Sequence, residues 1–85
     1  MFGGNYCMKT VKIMLSTIVD VRDFVNAVVS FGGDVDLTSG RYVVDGKSIM
    51  GIFSLDLLHP VEMNIRGEEG LDELLKKIDR FIVKE

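Results

Sequence analysis

Ser48 is the residue of this chain whose type and position offer the clearest chemistry. It directly precedes an apolar run in which Ile49, Ile52 and Phe53 recur at helical spacing. A serine in that position caps a helix by accepting hydrogen bonds from backbone N–H groups that the first turn leaves unpaired. We therefore expect a short helix after Ser48, with Ile52 and Phe53 in the core and Met50 exposed to solvent.

The other side chains able to act as nucleophiles or metal ligands stand alone in the sequence. His59 is the single histidine and precedes the single proline, which predicts an exposed turn residue. Cys7 is the single cysteine and cannot form an internal disulfide, as is usual in a reducing cytoplasm. Since no cluster of Cys and His has metal-ligand spacing, neither a metal nor a cofactor is expected.

Composition narrows the class of partner. The chain has 85 residues and a formal net charge of −3, with 47% hydrophobic and 27% charged residues. These values are typical of one small globular domain, and the negative charge argues against nucleic acid, whose phosphates attract a basic face. No apolar run approaches the roughly 18 residues of a membrane span. The expected partners are therefore other proteins, in the cytoplasm.

Apolar periodicity predicts the order of elements within a domain at 9–85, after a flexible leader at 1–8. The expected elements are a strand at 9–15, a helix capped by Asp20 and ended by glycines at 32–33, strands at 34–38 and 41–44 joined by a turn at 39–40, a turn at 45–46, the short helix after Ser48, a strand at 61–66, and a helix from 71 to near the C-terminus. Each strand has one apolar face and each long helix one apolar stripe. The predicted fold is therefore α+β: a two-layer, open-faced sandwich in which two long helices and one short helix cover one face of a four-stranded antiparallel sheet.

The segment at 47–55 resembles the second-helix segment of HPr, the histidine-containing phosphocarrier of the bacterial sugar phosphotransferase system. Its residues are Lys47, Ser48, Ile49, Met50, Gly51, Ile52, Phe53, Ser54 and Leu55. The resemblance implies the β-α-β-β-α-β-α order of HPr and a regulatory phosphorylation site at Ser48 for an HPr-kinase-like enzyme. It also implies a docking patch for partner proteins at Lys47, Ile49, Met50, Gly51 and Phe53. Lys47 either steadies a phosphate on Ser48 or is an ordinary exposed lysine.

In HPr a histidine between the first strand and the first helix carries the phosphoryl group, in the motif Gly-Leu/Ile-His-Ala-Arg-Pro. The corresponding stretch at 15–23 has neither histidine nor proline; Thr17 falls near the histidine position, Asp20 near the proline, and Arg22 is its cation. A threonine hydroxyl needs a general base, and its phosphoester is a poor donor. Asp20 and Asp23 also place negative charge where a helix N-terminus would otherwise attract phosphate.

Two functions follow from these observations. The first is a non-enzymatic regulatory or protein-binding module related to the phosphotransferase system, acting through Ser48, Met50 and Gly51 under control of phosphorylation at Ser48. The alternative is a phosphocarrier that uses an unconventional acceptor. A third use of the same fold, unrelated to sugar transport, also remains open, because fold alone does not determine function.

Overall fold

The alternating segments form one sheet in the computed structural model, which describes residues 8–67 and 69–83. The strands are β1 (Met8–Ile13), β2 (Asp34–Ser39), β3 (Tyr42–Asp45) and β4 (Val61–Arg66). They lie in the order β1-β4-β2-β3, and every neighbouring pair is antiparallel. Met8, assigned above to the leader, begins β1; the rest of the leader, including Cys7, lies outside the described residues.

Three helices cover one face of this sheet, which confirms the predicted α+β sandwich. They are α1 (Ile18–Val28), α2 (Ile49–Phe53) and α3 (Leu71–Lys77), and a 3-10 turn (Asp79–Phe81) follows α3. No helix in the described part of the chain is long and apolar enough to cross a membrane.

The last helix is shorter than predicted, with 7 residues rather than a run to the C-terminus. Ile82 leaves the helical stripe and forms an isolated antiparallel bridge with Ile13. The Val83 N–H donates to the Lys12 carbonyl at 2.8 Å, and the Met14 N–H to the Phe81 carbonyl at 2.8 Å. These bonds fasten the end of the described chain to the sheet. β1 itself ends at Ile13, whose partner Val61 is the first residue of β4.

The first helix ends at Val28 rather than at the glycines at 32–33. The Phe31 N–H donates to the Val28 carbonyl at 3.0 Å, and the Phe31 ring is buried in the core. The chain must leave the helix to bury that ring. Gly33 then passes so close to β4 that a Cβ on it would overlap the Arg66 carbonyl oxygen.

The core is a single apolar layer between the sheet and the helices. Every residue predicted to face inward from α1, β2 and β4 is buried or partly buried; these are Val21, Phe24, Val25, Val28, Val35, Leu37, Val61, Met63 and Ile65. The opposite face of the sheet is polar. There the Thr10 hydroxyl donates to Asn64 Oδ1 at 2.9 Å, and the Asn64 amide donates to the Thr38 hydroxyl at 3.1 Å. The sheet therefore packs on one side only.

Candidate functional site

Ser48 caps α2 as predicted. The turn before it is closed by the Ser48 N–H, which donates to the Asp45 carbonyl at 3.0 Å. Gly46 is buried in this turn, where a Cβ would lie 2.6 Å from Val35 Cγ1. The Ser48 hydroxyl accepts a hydrogen bond from the Gly51 N–H at 3.2 Å. Local sequence thus positions the hydroxyl at the start of a helix of 5 residues.

The exposed apolar residues of α2 are Met50 and Phe53, which we call the α2 patch. Ile52 is fully buried, whereas Met50 is 75% exposed and Phe53 is 40% exposed. The expectation of an exposed Met50 is confirmed, and the expectation of Phe53 in the core is wrong. A helix this short presents one line of residues inward, and Leu55 just beyond it occupies the next core position. Phe53 is left at the margin, where a partner can contact its ring.

Lys47 is not an ordinary exposed lysine. Its Nζ donates to the Phe31 carbonyl at 2.7 Å and to the Gly33 carbonyl at 3.0 Å. Both acceptors lie just beyond the C-terminal end of α1, where helix carbonyls and the helix dipole favour a cation. The ammonium group therefore fastens α2 to the end of α1, and this use argues against its placement among the docking residues.

The start of α1 differs from the prediction in its capping residue. Thr17, not Asp20, is the N-cap, and its hydroxyl oxygen accepts from the Asp20 N–H at 3.0 Å. Asp20 lies in the first turn and accepts from the Ser16 N–H at 3.1 Å. This arrangement resembles a capping box, except that Asp20 accepts from the N–H of Ser16 rather than from that of the N-cap residue. The Thr17 hydroxyl reaches the third helical N–H, and the pair Thr17 and Asp20 has the same three-residue spacing as the predicted pair Asp20 and Asp23.

An ion-pair cluster, which we call the Arg80 clamp, lies beside this helix start. Arg80 Nη2 is 2.7 Å from Asp23 Oδ2, and Arg80 Nη1 is 3.7 Å from Asp20 Oδ1. The Arg80 guanidinium also lies 4.2 Å from the centre of the Phe81 ring. Arg22, the cation of the stretch at 15–23, is exposed and contacts Asp23 at 3.4 Å. The sequence gives no sign of Arg80, because its partner Asp23 is 57 positions away.

His59 lies in the connection between α2 and β4 and is exposed, as expected. Its Nε2 is 3.9 Å from Asp56 Oδ2, at the outer limit of an ion pair. Both side chains face solvent, so the pair has no buried surroundings that would prepare the imidazole for catalysis. In the part of the chain that the structure describes, no group of His, Cys, Asp and Glu could hold a metal ion.

A groove of about 470 Å³ runs along the start of β2, the end of β3 and Lys47. Its charged lining residues are Asp34, Asp36, Asp45, Lys47 and Arg66. The cations are already engaged: Arg66 Nη2 is 2.6 Å from Asp36 Oδ2, and Lys47 bonds to the two carbonyls described above. With three carboxylates in its wall, the groove is unsuited to a phosphate ligand.

Sequence reasoning missed several exposed apolar residues outside the α2 patch. Ile18 and Val19 are exposed in the first turn of α1, and Leu58 is exposed before β4. Val19 carries a signal in the sequence, since it fits no helical stripe with Val21 and Phe24, whereas Ile18 stands three positions before Val21, at helical spacing. Apolar residues that no core position explains are candidates for contact with another protein.

No family model and no curated protein matches this chain, whereas solved structures do. HPr-C-His from Thermoanaerobacter tengcongensis is 22% identical, with 87% of this chain and 88% of that chain covered and a TM-score of 0.64. The phosphocarrier protein HPr from Bacillus anthracis str. Ames is also 22% identical, with 94% and 100% covered and a TM-score of 0.62. The chain therefore has an HPr-like fold.

Proposed function

We propose that this chain is a non-enzymatic regulatory or protein-binding module related to the sugar phosphotransferase system, acting through α2. The observation that carries the proposal is α2 itself, in which a capping serine stands beside Met50 and Phe53, both exposed. The HPr-like fold supports the relation to that system. Exposed apolar side chains on a rigid helix suit docking, and a methionine adapts to differently shaped partners.

The start of α1 argues against carrier chemistry at this site. The carboxylates of Asp20 and Asp23 place negative charge along the first turns of α1, and Arg80 is already paired with both. The Thr17 hydroxyl oxygen is engaged in capping, and the single histidine of the chain lies in another loop. If the Thr17 hydroxyl attacked a phosphoryl group, the phosphate would approach two carboxylates. The hydroxyl would also need a general base to remove its proton.

Phosphorylation of Ser48 would act as a local electrostatic switch. A phosphate on this hydroxyl would lie at the N-terminus of α2, where backbone N–H groups such as that of Gly51 can donate to it. The Lys47 ammonium, held by the Phe31 and Gly33 carbonyls, would not neutralise the added charge. The phosphorylated surface would therefore carry a strong negative charge two residues from Met50. This charge would change which partners the α2 patch can bind.

Intact-mass spectrometry after incubation with HPr kinase and ATP tests this regulation. We expect one added phosphate on the wild-type chain and none on Ser48→Ala. Ser54→Ala is the matched control, because Ser54 is an exposed serine at the other end of α2 whose hydroxyl donates to the Gly51 carbonyl at 2.6 Å. Phosphate on Ser48→Ala, or none on any variant, would reduce Ser48 to a structural cap.

The alternative function, a phosphocarrier with an unconventional acceptor, is tested by phosphoenolpyruvate and the first enzyme of the system. We expect no change in mass after incubation with both, under conditions that fully phosphorylate an HPr control. A stable added phosphate, located by fragmentation, would overturn the non-carrier proposal and identify the acceptor. Transfer of that phosphate to a sugar-specific component would then establish carrier activity.

A further inference from the structure

Among the described residues, β3 pairs with β2 alone, so β3 forms one edge of the sheet. The Gly46 N–H donates to the Val35 carbonyl at 2.7 Å, which continues the ladder beyond the end of β3. Hydrogen-bonded and non-bonded pairs alternate along an antiparallel ladder. Tyr42 and Val44 therefore direct their backbone groups towards β2, whereas Val43 directs its N–H and carbonyl outwards.

The side chains along this edge do little to block another strand. Tyr42 is 72% exposed and Val43 is 63% exposed, and they lie on opposite faces of the sheet because successive strand residues alternate. Proteins usually protect an edge with lysine, proline or a bulge, and β3 contains none of these in its sequence of Tyr, Val, Val and Asp. The edge offers outward backbone groups together with exposed apolar area.

We propose that β3 is a self-association edge, at which two copies of this chain pair antiparallel about Val43. In this register Val43 lies opposite Val43 of the second copy, and Tyr42 lies opposite Val44. Arg41, in the turn just before β3, then comes beside Asp45 of the second copy, and the two-fold symmetry repeats this pairing of charges at the other end of the seam. Asp45 Oδ1 already accepts from the Lys47 N–H at 2.9 Å, so the carboxylate is held in place for the long Arg41 side chain to approach.

Charge complementarity selects a second copy of the chain as the occupant. The turn that leads into β3 supplies the cation Arg41, and β3 ends at the anion Asp45, so an antiparallel copy brings opposite charges together at both ends of the seam. In this register odd-numbered residues of β3 lie opposite odd-numbered residues, and even opposite even. Like faces of the two sheets therefore join, and the helices of both copies would cover the same face of the paired sheet. The contact spans few residues, and an interface this small is expected to be weak and concentration-dependent.

Sedimentation equilibrium from low micromolar to millimolar concentration tests the pairing. We expect the wild-type chain to dimerise with rising concentration and Val43→Lys to weaken the dimer about tenfold or more, because like charges would then face each other at the two-fold axis. Val29→Lys is the matched control, since Val29 is 52% exposed at the end of α1 and far from β3 in sequence; it should dimerise like wild type. Circular dichroism verifies that both variants are folded.

The register is tested separately by disulfide trapping. In a Cys7→Ser background, Val43→Cys should form a covalent dimer in a glutathione buffer much faster than Val29→Cys, because only the first pair meets across the axis. A chain that stays monomeric at every concentration would overturn the proposal. Equal dimerisation of Val43→Lys and wild type, or equal trapping of the two cysteine variants, would overturn it as well.

Discussion

At the scale of single residues, Lys47 shows how a polar side chain can hold backbone segments in place. Its ammonium group donates to two carbonyls that follow α1, at residues 31 and 33. Both carbonyls lie in the connection between α1 and β2, outside the helix and strand whose internal hydrogen bonds satisfy backbone groups. One ammonium satisfies both, and its charge interacts favourably with the C-terminal end of the α1 dipole.

We expect Lys47→Met to destabilise the fold by about 1–3 kcal/mol, because the methionine retains most of the stem and removes both hydrogen bonds. Urea unfolding followed by circular dichroism measures the free energy of unfolding. Lys77→Met is the control, since the Lys77 ammonium makes a 3.3 Å contact with an exposed serine hydroxyl, and a change within about 0.5 kcal/mol is expected there. An equal effect of the two substitutions would contradict the fastening role of Lys47.

At the scale of elements, the connection from α1 to β2 contains two adjacent glycines whose surroundings differ. At Gly32 an added Cβ would meet no atom within 4 Å. At Gly33 it would overlap the Arg66 carbonyl oxygen and lie 2.7 Å from Phe31 Cε2. Neither glycine has a positive φ, so the difference between them is one of space. Only Gly33 is required for the approach of β2 to β4.

We therefore expect Gly33→Ala to cost about 1–3 kcal/mol through overpacking against backbone that cannot move. Gly32→Ala should be neutral or should stabilise by up to about 1 kcal/mol, since alanine restricts the unfolded chain. Thermal unfolding of the two variants beside wild type checks the difference. A Gly33→Ala variant as stable as Gly32→Ala would mean that β4 can retreat from this contact.

At the scale of the whole molecule, the segment after α3 joins the sheet to the first helix. Ile82 and Val83 bond to β1, Phe81 packs edge-on against Phe24 with ring centres 6.2 Å apart, and Arg80 pairs with acids of α1. Elements at opposite ends of the sequence thus form one unit. The Arg80 clamp also neutralises acids at the start of α1.

We expect Arg80→Gln to destabilise the fold by about 1 kcal/mol, the combined value of exposed ion pairs and a cation–π contact. The effect should shrink at high salt, because the ion pairs are exposed and screened. Arg22→Gln is the control, and its single exposed contact predicts a change within about 0.5 kcal/mol. Urea unfolding at low and high salt distinguishes the two, and a salt-independent loss for Arg80→Gln would assign its role to packing on Phe81 instead.

The amino-acid sequence by itself determined the order of strands and helices, the inward-facing residues of α1, β2 and β4, and the cap at Ser48. These features depend on alternation, on helical spacing and on hydrogen bonds between residues a few positions apart, so they can be read locally. The Thr17 cap is local as well, since its partner Asp20 is three positions away. Only the tertiary structure decided that Phe53 stays exposed and that Ile82 joins the sheet. It also decided that the cation beside Asp20 and Asp23 is Arg80. Each of these depends on competition for core space or on partners distant in sequence, which local patterns do not encode.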